Sequence, residues 1–209
     1  SSLGIFGNPL ETSELDRETV RGWEACIDHA HLFGTDLVCG FAGRLRDRPV
    51  PESIPRYQQV FGELAKRAAD KGVRLAFENC PMGGSWERGD WNIAFNPRAW
   101  DLMFDALDAP NIGLEWKPCH QMCQLIEPLP QLKKYLPRIF HVHGKDSIPQ
   151  FIGCFWNGEY RRARLCPGRH NAIGIASAEA VQTACAAVAL RRRELDPPVI
   201  RIKIFSETT

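Results

Sequence analysis

A chain of 209 residues that is 44% hydrophobic and 24% charged can bury one substantial core beneath an ordinary charged surface. Its formal charge of +1 offers no basic footprint for nucleic acid and no polybasic attraction to an anionic membrane. It contains neither an apolar run of about eighteen residues nor a secretory leader pattern, so the expected compartment is the cytoplasm.

Eight cysteines are scattered through apolar segments, with no C-x-x-C pair; Cys119 and Cys123 lack the second pair that a structural zinc site needs. Reduced thiols are expected rather than disulfides. The opening Ser1-Ser2, with no initiator Met, reads as a fragment or a processed chain.

In chain order, Leu3 to Phe6 is a short apolar strand closed by Gly7-Asn8-Pro9. A helical pattern runs from Glu14 to Phe33, with Ser13 and Asp16 forming a capping box and Gly34 as the stop. Asp36 to Phe41 is the second strand, and the charged, proline-bearing segment 45–51 reads as loop. Ser53 to Lys71 carries Tyr57, Val60, Phe61, Leu64 and Ala68 on one helical face. Val73 to Glu78 is the third strand. It is followed by a long loop rich in Gly and Trp (82–96) and a helix opened by Pro97. Ile112 to Trp116 is the fourth strand. A helix-like stretch from Gln121 to Leu136, interrupted at Pro128 and Pro130, leads to a fifth strand, Arg138 to His143.

This strand–loop–helix rhythm predicts a parallel α/β fold. No glycine-rich phosphate loop follows the first strand, so a (β/α) TIM-barrel type fits better than a nucleotide-binding doubly wound sheet. The length falls short of a closed eightfold barrel and leaves about six βα units. Residues 1–146 are read as a partial barrel core. Residues 147–209, rich in Arg, Cys and Ala, are read as a divergent C-terminal segment of the same domain, with a helix over 177–195 and a strand over 199–205.

Three strand ends carry candidate chemistry. Period-two alternation places Glu78 with Ala76, opposite Leu75 and Phe77, and Glu115 with Lys117, opposite Leu114 and Trp116. In the fifth strand the same rule puts Ile139, His141 and His143 on one face and Phe140 and Val142 on the other. A lone strand-end Glu is more often solvated or paired with Arg, and a lone His-x-His more often structural. Convergence of three such ends, with His120 nearby, is what suggests a ligand set for a divalent metal such as Mn, Mg, Co or Zn.

The segments AFENCPMGGSW, NIAFNPRAWDLMFDAL, NIGLEWKPCHQM, LIEPLPQL and RIFHVHGKD, in that order within about residues 36–146, resemble the sugar-phosphate isomerase/epimerase family with a xylose-isomerase-like TIM barrel. The resemblance implies a divalent metal held at strand ends by a Glu, an Asp or Glu, a His and a final Glu. Glu78 matches the first ligand and His143 the third. Two glutamates exchange the proton beside a sugar carbonyl, Glu78 being one. His120 matches a substrate-contacting His, and Trp86, Lys117, His141 and Lys145 join it as candidate substrate contacts. The implied substrate is a small sugar or sugar phosphate.

Two departures stand out. Lys117 occupies the second-ligand position, where the family carries a carboxylate, and an ammonium has no lone pair to donate. Either Glu115 takes over on the same face, or Lys117 fills the metal's place beside Glu78. The family's closing segment is also missing beyond Asp146, where Glu207 is the positional surrogate for the second catalytic Glu. The first expectation is thus a metal-dependent isomerase or epimerase. The second is a metal-free remnant that binds sugar or forms oligomers, and less favoured is an abasic-site endonuclease on the same barrel. Unclosed sheet edges predict self-association into a homo-oligomer.

Overall fold

Five short apolar runs become five parallel strands in the computed structural model, which describes residues 2–144. They are β1 (Leu3–Ile5), β2 (Leu37–Gly40), β3 (Arg74–Glu78), β4 (Ile112–Trp116) and β5 (Ile139–Val142), paired in the order β1-β2-β3-β4-β5. A doubly wound sheet reverses direction at a switch point; this one steps always the same way, as a barrel wall does. Among the described residues β1 and β5 are edges, so the wall is an open arc. The expected helix and strand beyond residue 147, and with them Lys145 and Glu207, lie outside the described residues.

The crossovers are α1 (Glu14–His29), α2 (Val50–Asp70), α3 (Pro97–Ala106), α4 (Pro118–Met122) and α5 (Pro128–Tyr135), with 3-10 turns at Ala30–Phe33 and Leu136–Arg138. The Ser13–Asp16 capping box forms as expected, and Asn96 caps α3 ahead of Pro97. The loop expected over 45–51 ends early. Helix α2 starts at Val50 because Pro51 falls in the first turn, where its missing N–H costs nothing. For the same reason the stretch expected from Gln121 begins at Pro118 and restarts at Pro128. No described cysteine is in a disulfide, and no described helix is long and apolar enough to cross a membrane.

The wall's two faces differ. Toward the helices lies the main core, where the Phe77 ring meets Phe61 edge-on at 4.7 Å and Trp23 packs on Phe61 at 5.4 Å. Aromatic pairs of this geometry add to the burial energy. On the opposite face, Leu37, Cys39 and Ala76 form a small apolar layer with Phe140 against it. Polar groups crown that layer at the C-terminal ends of β3, β4 and β5.

The face assignment for β5 needs one correction. A bulge between Leu114 and Glu115 pairs Leu114 with Ile139 and Glu115 with His141, so Phe140 is the extra residue. Ile139 and Val142 therefore both face the helices, while Phe140 joins the inner layer. An added residue breaks strict alternation, which the sequence pattern alone does not signal. Gly113 accommodates the bulge: a Cβ there would stand 2.2 Å from the Arg138 carbonyl oxygen and 2.7 Å from the Phe140 ring.

Candidate functional site

The register Glu78↔Glu115↔His141 places three strand ends side by side on the inner face. Two carboxylates, one on β3 and one on β4, anchor the polar groups gathered there.

Glu115 is 1% exposed. Its Oε1 accepts from His141 Nδ1 at 3.1 Å and His143 Nε2 at 3.0 Å, each ring nitrogen carrying its proton there. Burial opposes ionisation of this carboxyl, but the two imidazole hydrogen bonds outweigh it and hold its pKa at about 2. Its Oε2 is buried with no hydrogen-bond partner. An ionised carboxylate oxygen left in that condition is costly and marks a place where a donor or a cation is wanted.

Glu78 sits across the β3–β4 pair. Its Oε1 accepts from Lys117 Nζ at 2.8 Å, and His120 Nε2 stands 3.5 Å away. Burial again opposes ionisation, and the His120 and Lys117 interactions reverse the balance, leaving the carboxyl below its ordinary range. Burial likewise disfavours the charged His120, but contacts with Cys80 and Glu78 win and raise it. The Cys80 thiol, pushed up by burial, is brought below its usual value by His120.

Backbone clamps hold these groups. Asn79 reaches across to the next strand end, donating to the Lys117 carbonyl at 2.9 Å and accepting from the Lys117 N–H at 2.7 Å. Asn92, 1% exposed, donates to the Glu78 and Cys80 carbonyls and accepts from the Ala42 and Ala94 N–H groups. Below Cys80 the chain turns through Met82 and Gly83, both at positive φ. Asn79, Cys80 and Asn92 were not among the sequence candidates. Only their place in a strand-to-loop junction rich in Gly, Pro and Asn hinted at them.

Of the expected residues, Glu78, Glu115, Lys117, His120, His141 and His143 come together. Trp86 has other described contacts: its ring stacks with Arg98, whose Cζ lies 3.9 Å from the centroid, and its carbonyl accepts from Val50 and Arg44. Three donor atoms from Glu78, Glu115 and His143 lie within 4.8 Å of one another. Two carboxylates and an imidazole suit a divalent cation, and the unpartnered Glu115 Oε2 fits the same need. The Lys117 ammonium opposes it, as a rival positive charge already resting on a donor.

Comparison with known proteins matches residues 1–176 to the xylose isomerase-like TIM barrel. Among solved structures, an L-ribulose 3-epimerase aligns with a TM-score of 0.60 at 14% identity, covering 93% of this chain and 76% of its own. A D-allulose 3-epimerase from Methylomonas sp., in complex with D-allulose, aligns at 0.54 and 19% identity over 68% of this chain and 50% of its own. A probable 3-DHS dehydratase from Bacillus anthracis aligns at 0.55 and 12% identity over 68% and 49%. The chain thus spans about half the length of the last two. At these identities the likeness is one of fold, and the fold hosts more than one chemistry. No curated protein matches the chain.

Proposed function

Because this chain belongs to the xylose isomerase-like TIM-barrel family, we propose that its strand-end site binds a small sugar beside a divalent cation and serves ketose epimerisation or aldose–ketose isomerisation. The observation that carries this reading is the convergence of one donor atom each from Glu78, Glu115 and His143 within 4.8 Å of one another, with a buried, unpartnered second oxygen on the same Glu115 carboxylate. Glu78, Glu115 and His143 would hold the cation. When bound, it would polarise the carbonyl and hydroxyl oxygens of the sugar.

The chain's own residues set the rest. Glu78 is ionised at neutral pH, so it is in the form that accepts a proton from the carbon beside a carbonyl. Its depressed pKa makes it a weak base while His120 and Lys117 bear on it; a sugar that draws both groups away would restore its basicity. His120 and His141 would hydrogen-bond sugar hydroxyls, and Phe140 with Leu37, Cys39 and Ala76 lays an apolar floor beneath them. Glu207, assigned the return of the proton to the opposite face, lies outside the described residues.

The test is a ketose screen that includes D-allulose and L-ribulose, the sugars of the two epimerase neighbours, with product analysis by chromatography. Interconversion that is abolished by EDTA and by Glu78→Gln supports the proposal. Interconversion that survives both refutes the mechanism.

The 2.8 Å Lys117–Glu78 pair favours a second reading, a cation-free module that binds sugar or self-associates. Under it, Lys117→Asp confers no cation binding and the screen yields no product.

A further inference from the structure

Cys80 is not used by the epimerase reading, yet it stands at the same strand end. Its Sγ, a ring nitrogen of His120 and a carboxylate oxygen of Glu78 lie within 4.8 Å of one another, a second donor triad beside the Glu78–Glu115–His143 set. We propose that Glu78, Cys80 and His120 form a distinct site for a thiophilic divalent cation of the Zn²⁺ class.

Three features favour a ligand site over an incidental cluster. The donor set is mixed S, N and O, the kind that selects borderline-soft cations, and three protein ligands leave a fourth position open. The spacing suits it as well. Zinc bonds of about 2.0–2.3 Å in a tetrahedron put donors roughly 3.3–3.8 Å apart. Glu78 Oε1 and His120 Nε2 are already separated by 3.5 Å.

The groups are also held and reachable. The Cys80 carbonyl is pinned by Asn92, and the chain turns sharply just beyond it. His120 lies on the short helix α4, its carbonyl accepting from Gln124 Nε2. Cys80 and His120 are half-buried, so a cation can enter from the mouth without unfolding the wall. On binding, the Cys80 S–H bond breaks heterolytically, the sulfur keeps the electron pair for the cation, and the proton leaves to buffer.

Glu78 is common to both sets, so the two cations would compete for it, and binding at either requires the Lys117 ammonium, 2.8 Å from Glu78 Oε1, to withdraw from that oxygen. The sets nevertheless differ in one spectroscopic respect: only this one contains a thiolate. The test is titration of the full chain with Co²⁺, following the near-ultraviolet thiolate-to-cobalt charge-transfer band, with Zn²⁺ as displacing ion. Cys39 belongs to another potential cluster, with Glu115 and His141, and is the control.

The expected result is a band saturating near one equivalent, displaced by Zn²⁺. It should be lost in Cys80→Ser and in His120→Ala and kept in Cys39→Ser and in Glu115→Gln. A charge-transfer band that persists undiminished in folded Cys80→Ser, or a wild-type chain showing none, overturns the proposal. As a second measurement, Zn²⁺ should slow alkylation of Cys80 by iodoacetamide, mapped by mass spectrometry; an unchanged rate at saturating Zn²⁺ counts against it. Failure of the epimerase proposal leaves these results untouched, because the Glu115→Gln variant removes that centre and spares this one.

Discussion

Replacing Lys117 with Ala should lower stability and raise cation affinity, two effects of opposite sign from one charge. The Lys117 and Glu78 side chains are only 15% and 8% exposed, and their N···O distance is 2.8 Å. At an effective dielectric of about 20 the gross attraction is ~6 kcal/mol, most of it offset by the cost of desolvating both ions. Removal leaves Glu78 with His120 at 3.5 Å and some access to water, so the expected net loss of stability is about 2 kcal/mol. The same deletion takes a positive charge off a candidate cation ligand. Mn²⁺ affinity should rise about 10- to 100-fold, equivalent to ~1.4–2.7 kcal/mol. Urea denaturation measures the first effect and titration calorimetry the second. A variant that loses stability while Mn²⁺ affinity stays flat or falls refutes the view that Lys117 competes for the cation's place.

The same geometry sets further expectations. Glu115 is depressed from 4.5 to about 2 in the folded chain, so its ionised form contributes stability that is complete above about pH 4.5 and lost as pH falls toward 2. Denaturation curves taken across that window should show wild type losing up to about 3 kcal/mol more than Glu115→Gln; parallel loss in both argues against the His141–Glu115–His143 cluster. Asn79→Ala strands a Lys117 N–H and a carbonyl at a fully buried position and should cost about 2–3 kcal/mol by urea denaturation. A loss within experimental error would mean that water replaces the side chain. Gly113→Ala drives a methyl into the Arg138 carbonyl oxygen at the bulge and should cost about 3 kcal/mol or more, read as a falling Tm; a neutral outcome removes the close approach of β4 and β5.

The strand–helix rhythm was readable because each strand is an apolar run closed by Gly, Pro or Asn, and each helix start is marked by a side-chain cap (Ser13, Asn96) or by a proline in its first turn (Pro51, Pro118, Pro128). The inner placement of Glu78 and Glu115 came from alternation alone. Alternation failed at β5, where the bulge after Leu114 inserts Phe140 into the inner layer, because a bulge depends on how two strands meet and not on either one's pattern. Sequence could pose the alternatives at Lys117 without choosing; the distance to Glu78 shows that the ammonium does rest on the first carboxylate. The bracing roles of Asn79 and Asn92 escaped notice because an Asn after a strand looks like any turn residue. Its cross-strand partners come from residues 38 and 14 positions away, which no local pattern reveals.

The most direct test of the central claim is Mn²⁺ titration calorimetry of the full chain beside Glu78→Gln. Saturable binding near one equivalent is expected in the wild type and its loss in the variant, because Glu78 is a donor to the set built with Glu115 and His143. No binding heat at millimolar Mn²⁺ would contradict the claim and leave the Lys117–Glu78 pair as the finished state of the site.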